Sequence, residues 1–352
     1  MQKGVLQLKN MKRIAVLLCA FFILVSATGC GKLEISKEIA TVNGRRVTKA
    51  EYMYYLENVK QQMLSTAGAT DAEGFWDSEI DGVKAGEAAK QKALEEMLRV
   101  EIACIKADEA GIKASESDIS SIRATVKTTD SAQKAQVQSV KDLTGLSDDQ
   151  LIAVFTKTAQ ASAYAADLNQ KDPEALKPDE AAIAEAYQKD YVHVKHVLVK
   201  NTQDTAAEGE AAVETIPAEE FAAQQKAKAE EVLAKAKAGA NFDNLVKEYG
   251  EDPGMESSPE GYTFTHGAMV AAFEEASYAL EVGAISELVE SSYGWHIIKR
   301  YDLPKSGTEY DNAIQAVTNS LAQDKYNALL DSYKADMTIE VHQGVIDGIK
   351  VK

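Results

Sequence analysis

Two short apolar stretches, "VKHVLVK" at 194–200 and "YGWHIIKR" at 293–300, each place a histidine where a strand would bury carbon. Successive side chains of an extended chain point to opposite faces. Tyr293, Trp295 and Ile297 therefore share one face, and Gly294, His296 and Ile298 the other. The chain has only five histidines, and His196 and His296 stand in the same setting. A buried imidazole carries both a donor and an acceptor to satisfy. Either each ring finds backbone partners of its own, or the fold brings the two rings together.

Around these strands the texture is helical. "ATVNGRRVT" predicts a hairpin about Asn43-Gly44, and Thr48 with Glu51 has the spacing of a capping box that opens a helix. "VKAGEAAKQKALEEMLRVEIACIKADEAG" has apolar residues three and four apart and stops at Gly111. Ser147 and Gln150 form a second capping box before "LIAVFTKTAQASAYAADL", and "KPDEAAIAEAYQKDY" is one more helix. Residues 37–190 thus read as mainly helical. The texture changes at "VHVKHVLVK". Beyond it stand an acidic loop, helices in "AEEFAAQQKAKAEEVLAKAKAGA" (with Pro217 at its first turn) and "NFDNLVKEYG", and a turn-rich "EDPGMESSPEG". A strand in "YTFT", a helix in "MVAAFEEASYAL" and strands in "ISELVE" and "WHIIKR" complete a compact α+β unit at 191–303. Residues 304–352 return to helix and end in an alternating stretch, "TIEVHQGVI". The pattern is α+β: a small antiparallel sheet wrapped by helices, inserted in a mainly α-helical domain made of 37–190 and 304–352.

The first 29 residues carry an export signature rather than a fold. Lys3, Lys9, Lys12 and Arg13 precede "IAVLLCAFFILVSA", an apolar run of signal-peptide length. Met11 is an alternative start. Ala27, Thr28 and Gly29 before Cys30 resemble the bacterial lipobox, although leucine usually stands where Ala27 does. That resemblance implies cleavage before Cys30, a two-chain lipid on its sulfur and a polar tether at 30–36. Loss of the four signal cations takes the net charge from −17 to −21. Such acidity argues against nucleic acid as a partner, since phosphate binding needs basic patches. Cys104 then stands alone in a helical apolar stretch and reads as a small core residue.

"VKHVLVK", "AKAGANFDNLVKEYGEDPG" and "GYTFTHGAMVAAFEEASYALEVGAISELVESSYGWHIIKR" together resemble the parvulin family of peptidyl-prolyl isomerases. With the lipobox and the helical front, the chain resembles the foldase lipoproteins that carry such a domain beside a SurA-like chaperone domain. The resemblance implies that His196 and His296 lie on adjacent central strands and share a hydrogen bond. It places Asp252 at the third catalytic position and Met269 and Phe273 around the proline ring, where a spacing of four predicts one helix face. Phe264 and Tyr293 fall at the pocket rim, Tyr293 where some parvulins have a serine near the second histidine. Family members often have "GGDLG" before the phenylalanine where "SSPEGYTF" stands here, so the resemblance assigns no contacts to Tyr262 and Thr263.

The resemblance implies isomerisation of X-Pro bonds in unfolded or partly folded secreted polypeptides, at the outer face of the membrane, with no metal and no cofactor. Asp204, Glu208, Glu210 and Glu214 in the loop after the first strand would repel phosphate, so no preference for phosphorylated sites is expected. The alternative is a holding chaperone whose parvulin unit binds without appreciable catalysis. The oligomeric state is open, a homodimer included.

Overall fold

The computed structural model describes residues 36–67, 74–202 and 217–352. The signal, Cys30 and the acidic loop with Asp204, Glu208, Glu210 and Glu214 lie outside the described residues. In chain order the first elements are β1 (Glu38–Val42), β2 (Arg45–Thr48), α1 (Lys49–Thr66), β3 (Glu79–Ile80), β4 (Val83–Lys84) and α2 (Ala85–Glu109). There follow α3 (Glu116–Val126), α4 (Ser131–Thr144), α5 (Asp148–Lys171), α6 (Glu180–Asp190), β5 (Tyr191–Lys200), α7 (Ala218–Lys237) and α8 (Phe242–Tyr249). The last are α9 (Pro253–Ser257), β6 (Tyr262–Thr265), α10 (Ala271–Ala279), β7 (Val289–Ser291), β8 (Gly294–Tyr301), α11 (Thr308–Tyr333), β9 (Ile339–Val341) and α12 (Gln343–Asp347). No helix among the described residues is long and apolar enough to cross a membrane.

Two compact units divide the chain. Among the described residues, one comprises 36–65, 74–177 and Ala322–Lys352; the other comprises 178–202 and 217–321 with 66–67. The second unit therefore interrupts the first in sequence, and α6 and the first part of α11 belong to it.

In the first unit, Asn43 and Gly44 both take positive φ, 48° and 78°, the backbone of a tight hairpin turn. β1 pairs antiparallel with β2 on one side and with β9 on the other. Of the expected final strand only Ile339–Val341 is extended; α12 follows directly. Tyr52, Leu56, Met97, Ile102 and Leu330 fill the helical core. Both halves of the Ser147–Gln150 capping box are formed. At Thr48 the hydroxyl accepts from the Glu51 N–H at 3.3 Å, but the Glu51 carboxylate is buried and takes Lys157 Nζ at 2.8 Å. Glu101, 1 % exposed, meets the same ammonium. Cys104 is buried, and burial pushes its thiol up to about 12, as suits a core residue.

The second unit is built on the antiparallel sheet β6-β5-β8-β7. β5 and β8 run side by side in the middle, with His196 opposite Ile298 and Leu198 opposite His296. Val197, Val199, Trp295 and Ile297 face Ala229, Val232 and Ala236 of α7 and Phe242 and Leu245 of α8. Each large side chain buried there contributes roughly 1.5–3 kcal/mol. Val192, Val194 and Ile298 face the other way, onto Phe264 and Phe273. Gly294 opens β8 at φ 137°, and a Cβ there would fall 2.2 Å from the Val199 carbonyl oxygen. Only glycine allows that approach of the two central strands.

Local expectations shift in three places. "EDPGMESSPEG" contains a short helix, α9, with Asp252 as its N-cap. "ISELVE" is extended only near its end, with one further bridge from Ile285 to Lys299. The helix in "MVAAFEEASYAL" begins at Ala271, after Val270 as N-cap, so Met269 precedes it.

Candidate active site

β5 and β8 carry His196 and His296 on the same sheet face, two residues off direct register. Their Nδ1 atoms are 3.1 Å apart, and the rings overlap at 5.2 Å between centroids. Both imidazoles are buried. His196 Nε2 lies 2.8 Å from Asp252 Oδ2, and His296 Nε2 lies 2.7 Å from the Ser291 hydroxyl.

Hydrogen-bond accounting then assigns the protons for two neutral rings. A carboxylate only accepts, so His196 Nε2 carries hydrogen and donates to Asp252. His196 Nδ1 must accept, and His296 Nδ1–H donates to it. His296 Nε2 is left as acceptor for the Ser291 O–H. No ring nitrogen is unsatisfied. Burial first, and His196 second, pull His296 down to about 4, which keeps it neutral near pH 7.

Asp252 caps α9, its Oδ1 taking the Gly254 N–H at 2.9 Å. The Tyr262 hydroxyl donates to Oδ2 at 2.7 Å. The hydrogen bond from His196 above all, with those from Tyr262 and Gly254, holds the carboxyl well below the usual carboxylate range despite partial burial. Asp252 is thus an anion at the edge of an apolar floor.

Phe273 makes that floor. It is 3 % exposed, and its ring stands edge-on to His196 at 5.0 Å and to His296 at 5.2 Å. Met269 is partly buried against the same cluster. Both belong to that cluster although Met269 lies outside α10, so a shared helix face is not what brings them there. The Glu274 carboxylate accepts the Gly267 N–H at 2.8 Å and so ties down the turn that leads to Met269.

The structure places the two expected rim residues apart. Phe264 is 4 % exposed and packs beneath Phe273, ring centroids 6.0 Å apart, as part of the floor. Tyr293 is 60 % exposed, one residue before β8. The hydroxyl beside His296 belongs instead to Ser291, which also accepts the Tyr293 N–H at 3.1 Å. Sequence reasoning missed Ser291 and Tyr262. The expected serine near the second histidine was a signal for the first. For the second, the signal was the departure from "GGDLG", where Tyr262 stands.

A pair of imidazoles beside an anionic carboxylate and an aromatic floor, on a four-stranded antiparallel sheet, defines the class: a parvulin-type peptidyl-prolyl isomerase domain set within a helical chaperone chain. A protein-family model for the PPIC-type PPIASE domain matches residues 182–303, and one for the SurA-like N-terminal domain matches 8–140. Together the two matched domains support a PrsA-type parvulin foldase.

It is 25 % identical over 346 residues to a "Foldase protein PrsA" of Caldanaerobacter subterraneus subsp. tengcongensis, covering 97 % of this chain and 99 % of that one. It is 42 % identical over 98 residues to "Foldase protein PrsA 4" of Bacillus cereus, 28 % of this chain and 35 % of that protein. Among solved structures, the peptidylprolyl isomerase PrsA of Bacillus anthracis is similar at 24 % identity and a TM-score of 0.27, covering 70 % of this chain and 99 % of that chain.

Proposed function

We propose that this foldase catalyses cis–trans isomerisation of X-Pro bonds in secreted polypeptides that are still unfolded or partly folded, held at the outer face of the membrane by a lipid on Cys30. The observation that carries the reading is the junction of His196, His296 and Asp252 with the apolar floor of Phe273, Met269 and Phe264. It offers a pyrrolidine ring a greasy seat beside a fixed negative charge.

Rotation about the X-Pro amide crosses a barrier of about 18–20 kcal/mol and takes tens to hundreds of seconds unaided. It breaks no bond, so the chemistry consists of weakening amide resonance and holding the twisted form. The planar amide places negative charge on its oxygen. Met269 and Phe273 hold the ring while the preceding carbonyl turns near Asp252. An ionised Asp252 opposes charge on that oxygen, and a dry pocket strengthens the effect. The twisted amide, with less charge on oxygen, gains relative to the planar one. His196 and His296 fix Asp252 and form the polar part of the floor.

The helical unit is assigned the task of cradling unfolded clients, and Cys30 the task of keeping the enzyme where they emerge. A proline-peptide isomerisation assay on the whole chain tests the catalytic part, with His296→Ala as control. Turnover in the parent that falls in the variant is expected. Client protection with no turnover in either would establish a holding chaperone instead. For the anchor, labelled fatty acid should enter the protein in its bacterial host and fail to enter Cys30→Ser.

A further inference from the structure

We propose that Tyr262 is a positioning residue for this reaction, fixing the Asp252 carboxylate in the single orientation that faces the substrate carbonyl; the inference rests on the isomerase reading above. Two donors converge on one oxygen: Tyr262 Oη at 2.7 Å and His196 Nε2 at 2.8 Å from Oδ2. The Gly254 N–H holds Oδ1 at 2.9 Å. Three donors from three parts of the chain leave the carboxylate no freedom to swing. The tyrosine is itself held. It opens β6 directly opposite Val194, two residues before His196 on β5. Its ring is 5.7 Å from the His196 ring.

Gly254 completes the arrangement. A Cβ there would fall 2.0 Å from the phenol oxygen, so the absence of a side chain is what lets the hydroxyl reach Asp252. Burial, then the neighbouring Asp252, raise the phenol above its ordinary value. Tyr262 therefore remains a donor throughout the neutral range. Its ring packs against the apolar cluster of Phe273, so the hydroxyl alone, which Tyr262→Phe removes while keeping the ring, acts on the charge near the turning carbonyl.

The test is a set of three variants of the whole chain, Tyr262→Phe, Gly254→Ala and the double, assayed with kcat and KM resolved and with unfolding midpoints measured alongside. Loss of one hydrogen bond to an ionised group should lower kcat roughly tenfold in Tyr262→Phe, with KM little changed. The acid limb of the pH profile should move to higher pH, because one of the hydrogen bonds that hold the Asp252 carboxyl low is gone. Gly254→Ala should reproduce the loss from the opposite side by displacing the hydroxyl. The double should be no worse than Gly254→Ala alone, because the hydroxyl is already displaced there, while the methyl stands 3.2 Å from Asp252 Oδ1 in both. An active parent with unchanged kcat in Tyr262→Phe overturns this proposal and leaves the isomerase reading standing. So do additive losses in the double, or a loss explained wholly by unfolding. An inactive parent overturns both.

Discussion

His196 and His296, separated by 100 residues in sequence, meet at 3.1 Å through their Nδ1 atoms. The contact is diagonal, since each histidine lies directly opposite an aliphatic residue of the other strand. The β5–β8 ladder therefore sets their spacing, and the two outer nitrogens are free to reach Asp252 and Ser291. The result is one continuous chain of donors and acceptors across the pocket floor.

Removing a ring from that chain strands its neighbour. His296→Ala leaves His196 Nδ1 buried with no donor and should cost about 1–3 kcal/mol for that atom alone. The opened cavity adds to it. Urea unfolding of the parent and variant reads the difference. In the parent, nitrogen chemical shifts should show hydrogen on Nε2 of His196 and on Nδ1 of His296.

Acid should weaken the second unit through His296. Its folded value is about 4, against about 6.5 in an unfolded chain. Between these values the unfolded state binds the proton and the native state does not, so stability rises with pH. The contribution is complete above about pH 6.5, is lost as pH falls toward 4, and amounts to about 3 kcal/mol in all. Asp252, held low, adds stability that is present above its unfolded value near 3.9 and is lost only below it. Comparing pH–stability curves of the parent and His296→Gln isolates the histidine, whose variant should be flatter between pH 4 and 6.5.

Phe273 and Met269 should separate stability from binding. Phe273→Ala empties a fully packed site and should cost about 3–5 kcal/mol by denaturant unfolding. Met269 is only partly buried. Met269→Ala should leave the unfolding midpoint nearly unchanged while raising KM for proline peptides severalfold.

In the helical unit the decisive charge is Lys157, shared by Glu51 and Glu101. Burial disfavours the ammonium, yet Glu101 and Glu51 together raise it above its ordinary value. Burial outweighs Lys157 at Glu51 and raises that carboxyl. Lys157→Met would leave two buried carboxylates without their cation and should destabilise by about 3–5 kcal/mol. Thermal unfolding of the first unit should show it, with the isomerase rate at low temperature unaffected.

Phosphate should be a poor handle for this enzyme. A phosphoserine before proline in a test peptide should lower kcat/KM relative to serine, because the segment after β5 carries Asp204, Glu208, Glu210 and Glu214, whose charge would repel it. An increase would reverse that view of the loop's charge.

Much of the site was legible because strand alternation is a local property. Period two placed His196 and His296 on defined faces, and the quoted blocks located Asp252 and Phe273. Where alternation gave no help, the reading was coarser. Met269 and Phe273 invited a helical explanation, yet the helix starts after Met269. Phe264 and Tyr293 were both assigned to a rim, yet one is core and the other exposed. Thr48–x–x–Glu51 has the form of a capping box, but Lys157, 106 residues from Glu51, takes the glutamate.

By itself the sequence determined most of the periodic elements and the faces on which the two histidines stand. These follow from side-chain direction and turn chemistry, which act over a few residues. Tertiary structure alone decided that Tyr262 and His196 share one oxygen of Asp252, and that Ser291 rather than Tyr293 completes the chain at His296. Those contacts depend on strand register and on atoms brought within 3 Å by segments far apart in the chain, and no local preference encodes a distance of that kind.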